Sequence, residues 1–278
     1  MFTTILTFIT YLTQLTNLFL SAFAPGINWW LIVVAVIIGI VFGAVWLTFF
    51  RPPLFKKPWL WIVIAVSAIL TWTAAAFIQG PLQYWADQAL LHFWDKNTLH
   101  QWILLAGIPE ILLSGIVQEA AKIAPVIYYW RRDKKTFTPK FALIVGAVSG
   151  AGFGVFEAVW KLNMSFAAGY NWLTFAVNGL WSGLGSVVFH TSSTAFVGYG
   201  LAKRKGWQYY IIAAILHGLA NYSLITSLNS VQQLIWVSVV TIVIAFAVMQ
   251  LLRHEQKAKT DENPPFVLSD TISQPPVS

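Results

Sequence analysis

Long apolar runs alternate with short polar ones along this chain. Eight runs, roughly 4–24, 28–50, 59–78, 102–130, 141–160, 172–201, 208–228 and 231–252, stand out. Each is near the ~20 residues that a helix needs to cross the hydrocarbon core of a bilayer. Helices are required there, because unpaired backbone groups are too costly in hydrocarbon. The pattern predicts an all-α fold, a polytopic membrane helix bundle of about eight transmembrane helices forming one transmembrane domain over 1–252. The stretch from Gln79 to Gln101 is too polar to span and reads as an amphipathic helix on the outer surface, with Tyr84, Leu90, Leu91, Phe93 and Trp94 on its apolar side. After Arg253 the sequence turns polar and carries Pro264, Pro265, Pro275 and Pro276, so residues 253–278 are expected to be a disordered cytoplasmic tail. The first run ends in Ala22-Phe23-Ala24, which looks like a signal-peptidase site; without a basic segment before it, we read it as a retained span.

The loops between runs fix the expected orientation. Clusters follow the second, fourth, sixth and eighth runs: Arg51, Lys56 and Lys57; Arg131, Arg132, Lys134, Lys135 and Lys140; Lys203, Arg204 and Lys205; Arg253, Lys257 and Lys259. Fourteen of the 17 basic residues therefore share one side; Lys96 and Lys161 lie opposite and Lys122 falls within a run. By the positive-inside rule both termini are cytoplasmic. Trp29, Trp30, Trp59, Trp102, Trp130, Trp160, Trp172, Tyr209 and Tyr210 sit at run ends, as interfacial aromatic belts do.

Composition narrows the class. The 278 residues are 58% hydrophobic and 10% charged, more apolar surface than a soluble domain of this size can hide. The net charge of +7 is explained by the loop clusters, so no nucleic-acid partner is expected; the partner is the lipid bilayer. With no cysteine, disulfides and cysteine-ligated zinc are excluded.

Against this apolar background four consecutive runs carry ionisable groups: Glu119 with Lys122, Glu157, His190, and His217 with Asn221. A charge at the bilayer centre costs about 3 kcal/mol on insertion scales, so such residues mark function. Glu119 and Lys122 are three apart and share a helix face, as do His217 and Asn221 four apart. Pro125 locally opens the helix that bears the first pair. Gly146, Gly150 and Gly154 recur every four residues ahead of Glu157 and make a smooth face for close helix contact. Asn178, Ser182, Ser186, His190 and Thr194 form a polar stripe that must face other helices or a wet cavity. Glu110, after Pro109, reads as structural or interfacial. Counting about 1.5 Å per residue from the cytoplasmic ends puts Glu119, His190 and His217 in one layer and Glu157 about one and a half turns away.

The catalytic-like core is expected at about 102–228. Its chemistry reads as water activated by Glu119 with the help of His190, with Lys122 orienting the carboxylate and His217 and Asn221 meeting the oxyanion. A metal form has Glu119, Glu157, His190 and His217 as candidate zinc ligands; the metal-free form is preferred, because no His-Glu-x-x-His signature is present. A proton-coupled transporter is the reading from another class, since intramembrane Glu and His relay protons, but no inverted repeat accompanies it.

In order along the chain, Gln118-Glu119-x-x-Lys122, Phe153-x-x-x-Glu157 after Gly150-Ala151-Gly152, His190 with the small residues up to Gly200, and His217-Gly218-x-x-Asn221 resemble the motifs of the PrsW family of intramembrane proteases, relatives of the CAAX-processing membrane proteases. The resemblance covers about 115–225. It implies an intramembrane peptidase of glutamic or metallo type, an eight-helix or similar membrane fold, membrane-anchored protein substrates, and a multi-pass protein of a prokaryotic plasma membrane. The family's first motif has two adjacent glutamates, and Gln118 stands in place of the first. That departure implies an altered or catalytically impaired member that binds membrane segments as the alternative. An arginine often found near the family's first histidine motif, that of His190, is also missing.

Overall fold

The computed structural model describes residues 29–134, 136–167, 169, 175–226 and 230–262. The expected first span and the residues after Glu262 lie outside them. All regular structure among the described residues is helical: α1 (Trp29–Leu47), α2 (Trp59–Ala74), a π-helical turn (Ala75–Gln79), α3 (Gly80–Phe93), α4 (Lys96–Gln101), α5 (Ile103–Ala106), α6 (Ile108–Arg132), α7 (Pro139–Ala167), a π-helical segment (Phe175–Trp181), α8 (Ser182–Ala202), α9 (Gly206–Tyr222) and α10 (Ser230–Glu262).

Five stretches are long and apolar enough to cross a membrane: Trp29–Leu47, Trp59–Phe93, Ile103–Arg132, Pro139–Ala167 and Val231–Lys257. They correspond to five of the eight runs. The runs at 172–201 and 208–228 fall short of that mark. The stretch around α8 is diluted by the polar stripe and α9 has only 17 residues. These two helices carry His190 and His217.

α7 forms the centre. Its apolar window is 83% buried, against 22–33% for the other four stretches, which present Ile, Val, Leu, Phe and Trp outward. α1 and α2 pack on one side of α7, α8 on another, and α10 closes over α8 and α9. The three-glycine face makes the closest contact. A methyl group on Gly146 would come to 2.5 Å from the carbonyl oxygen of Thr194, one on Gly154 to 2.9 Å from the Cα of Val187, and one on Gly150 would overlap the carbonyl of His190. As the α7 number rises the α8 number falls, so the two helices are antiparallel. Gly115 of α6 meets the Ala214 carbonyl of α9 in the same backbone-to-backbone way, and Gly218 meets Ile111. This pair is antiparallel too. Two small-residue seams thus bring α6 to α9 and α7 to α8.

α2 runs through its π-helical turn into α3 instead of stopping at Ile78, so the polar segment continues the preceding helix. Asp95 then caps α4, its carboxylate accepting from the amides of Asn97 and Thr98. At the other end α10 continues past Arg253 to Glu262, and Glu255 pairs with Lys203 at 3.2 Å. Helix therefore occupies the first ten residues of the segment expected to be disordered.

Candidate active site

The seams deliver ionisable side chains from four helices to one buried cluster. α6 supplies Glu119 and Lys122, α7 supplies Glu157, α8 supplies His190 and α9 supplies His217. Glu119, Lys122, His190 and His217 are at most 4% exposed. Lys122 Nζ lies at the middle, 2.6 Å from Glu119 Oε1, 2.8 Å from His190 Nδ1 and 3.3 Å from Ser193 Oγ. His217 Nδ1 is 2.9 Å from Glu119 Oε1. His190 Nε2 is 2.6 Å from Glu157 Oε2. Glu157 in turn pairs with Lys161 at 3.3 Å, and Lys161 donates to Ser186 Oγ at 2.7 Å.

These contacts assign the hydrogens. An ammonium has three N–H groups and no lone pair, and an ionised carboxylate only accepts. Lys122 therefore donates to Glu119, to His190 Nδ1 and to Ser193. His190 must carry its hydrogen on Nε2 and donate it to Glu157. His217 must carry its hydrogen on Nδ1 and donate it to Glu119, which leaves the lone pair on Nε2. Ser193 completes the ring by donating toward Glu119, 3.2 Å from Oε1. With neutral imidazoles, two carboxylates face two ammonium groups and the cluster carries no net charge.

Five of the six residues expected from sequence belong to this cluster. Glu157 joins it despite the depth count. Side chains lean toward the N-terminus of their own helix, and α7 and α8 are antiparallel. Glu157 and His190 therefore lean toward each other and close a gap that backbone rise alone leaves open. Asn221 stays apart: its amide donates to Ser114 Oγ at 2.5 Å. Gln118 also points elsewhere, donating to Gln79 Oε1 at 2.9 Å. Gln79 donates on to Gln83, and Gln83 to the Glu110 carbonyl, making a glutamine ladder between the π-helical turn, α3 and α6. Glu110 is exposed. Of the polar stripe, Ser186 and His190 take part. α6 continues unbroken through Pro125, and the Lys122 carbonyl one turn before it accepts from Ser149 Oγ of α7 at 2.6 Å.

Lys161 and Ser193 escaped the sequence reading. Lys161 is four residues after Glu157, the spacing of an intrahelical ion pair, and Ser193 is three after His190. Both spacings were available as signals.

Glu119, His190 and His217 also offer one ligand atom each within 4.8 Å of one another, a carboxylate and two imidazoles of the kind that hold catalytic zinc. The donor set fits such an ion in kind. Glu157 stands behind His190 as the hydrogen-bonded carboxylate that orients a ligating imidazole.

Five helical stretches long and apolar enough to cross a membrane thus surround a buried, charge-balanced Glu/His centre. The sequence model of the PrsW family intramembrane metalloprotease matches residues 55–249, well over half the chain, and the chain belongs to that family. It is therefore a membrane protein and an intramembrane protease by family. The match extends well beyond the 115–225 segment that carries the motifs and takes in α2 to α5 and most of α10. Neither the curated proteins nor the solved structures yield a significant match.

Proposed function

We propose that this centre hydrolyses peptide bonds of membrane-anchored proteins with water activated by His217. The observation that carries the reading is the 2.9 Å contact between Glu119 and His217 Nδ1. A carboxylate that holds a buried imidazole by one nitrogen leaves the other free to take a proton, the division of labour of hydrolytic triads. The sequence pattern alone points to Glu119 as the base. Its Oε1 already accepts from Lys122 and His217, so it serves better to orient than to deprotonate. His217 Nε2 takes a proton from water as the oxygen attacks the scissile carbonyl, and returns it to the amide nitrogen as the C–N bond breaks. Lys122 supplies the positive charge nearest the developing oxyanion. His190, fixed between Lys122 and Glu157, holds the ammonium in place. Asn221, bonded to Ser114, supports α9 against α6.

In a metal-loaded form Glu119, His190 and His217 are the residues that would hold zinc, which would supply Lewis-acid polarisation of the carbonyl and an activated water. The remaining architecture we propose is that of the sequence reading: a single transmembrane domain over 1–252, eight spans including α8 and α9, both termini cytoplasmic, and a multi-pass protein of a prokaryotic plasma membrane.

The test is a proteolysis assay on a membrane-anchored substrate in detergent. His217→Ala is expected to lower the rate by about a hundredfold to ten-thousandfold, the usual contribution of a general base. His217→Ala cleaving at the wild-type rate would overturn the assignment. Because Gln118 bonds to Gln79 outside the cluster, Gln118→Glu is expected to leave the rate within about threefold; a large gain would revive the impaired-member reading.

A further inference from the structure

The donors that suit a divalent metal are already in use. Glu119 Oε1 and the His190 Nδ1 lone pair, two of the three ligand positions, both face Lys122 Nζ, at 2.6 and 2.8 Å. A zinc ion binds carboxylate oxygen and imidazole nitrogen at about 2.0–2.2 Å. With His190 Nε2 engaged by Glu157, it needs the same His190 Nδ1 lone pair and the same Glu119 carboxylate that Lys122 holds. Each lone pair serves one cation at a time. Charge points the same way. Glu119 and Glu157 are balanced by Lys122 and Lys161, so a dication added beside a retained ammonium would leave a buried surplus of positive charge. Lys122 has nowhere else to place its charge within reach: its three hydrogens are committed to Glu119, His190 and Ser193, and the side chain is 0% exposed.

We infer that the Lys122 ammonium is a resident cation that competes with a divalent metal for the Glu119–His190–His217 donors, so that metal enters only as Lys122 withdraws. Lys122 is thereby a positioning residue that sets the metal affinity of the centre. The inference rests on the cluster proposed above as the active site, but not on its hydrolytic role, and its test needs no substrate.

Zinc binding to the full-length chain in detergent is titrated against a chelating dye. Lys122→Met, isosteric but uncharged, is expected to bind one zinc at least tenfold more tightly than wild type. Lys122→Arg, which keeps the charge, is expected to stay near wild type. Adding His190→Ala to Lys122→Met is expected to abolish the gain. Equal or weaker zinc binding by Lys122→Met overturns the inference, as does a gain that survives His190→Ala. Lys122→Met strips Glu119 of its ammonium and can fold poorly when metal-free. Zinc is then expected to raise its melting temperature and leave that of wild type unchanged. A variant that stays unfolded with zinc present also overturns the inference. Absence of proteolysis by the wild-type chain, with these zinc results intact, would refute the hydrolase reading alone.

Discussion

Glu119 is the residue on which the cluster turns, because it accepts from Lys122, His217 and Ser193 at once. Replacing it by Ala strands a fully buried ammonium. Removing one partner of a buried pair costs about 3–5 kcal/mol, so Glu119→Ala is expected to unfold at a clearly lower temperature in detergent. Glu119→Gln, which can still accept from Lys122, is expected to lose less stability while losing most activity; equal melting temperatures for the Ala variant and wild type would contradict the geometry. Glu157 acts one step further out. Glu157→Leu removes the acceptor that fixes His190 and is expected to slow cleavage about tenfold to a hundredfold, the usual effect of losing a carboxylate behind a functional imidazole. Glu157→Gln, which keeps an acceptor oxygen, should recover part of that rate.

At the scale of elements, the two seams set how closely the helices approach. Gly150→Ala drives a methyl group into the His190 carbonyl, and no flexible side chain lies there to yield. Overpacking of this kind costs about 1–3 kcal/mol, and the shift it forces moves His190 directly. Gly150→Ala is therefore expected to lower both melting temperature and activity. Gly185→Ala on α8 is the control, because nothing lies within 4 Å of the added methyl. This level was partly legible in sequence. The four-residue glycine repeat announced a close helix contact, and the ionisable residues announced which faces turn inward. The sequence did not say that Glu157 and His190 would touch, because depth counting follows backbone rise and ignores the lean of side chains. Nor did it disclose the wide turn at Ala75–Gln79, which has no composition cue and which carries Gln79 to Gln118.

For the whole molecule, apolar run lengths locate each of the five helical stretches that qualify as membrane spans among the described residues, whereas α8 is too polar and α9 too short to qualify. Fold class and site came from one contrast: helices that face lipid can carry few polar groups, and helices that face each other can carry many. The proposed orientation has a direct check, made easy by the absence of native cysteine. Single cysteines at Lys134, Arg204 and Lys257 should react with an impermeant maleimide only after cells are opened, and one at Lys96 should react in intact cells. Labelling of Arg204→Cys in intact cells would overturn the eight-span orientation.

The row that runs from Glu119 through Lys122, His190 and Glu157 to Lys161 is buried at one end and partly exposed at the other. The Glu119 and Lys122 side chains are 0% exposed, whereas Glu157 and Lys161 are 20% and 33% exposed. On the proposed reading, this graded burial makes the centre a cul-de-sac rather than a corridor. A cul-de-sac lets water chemistry proceed at bilayer depth without opening a leak from one side of the membrane to the other. A protease could therefore sit in an energised membrane without draining it.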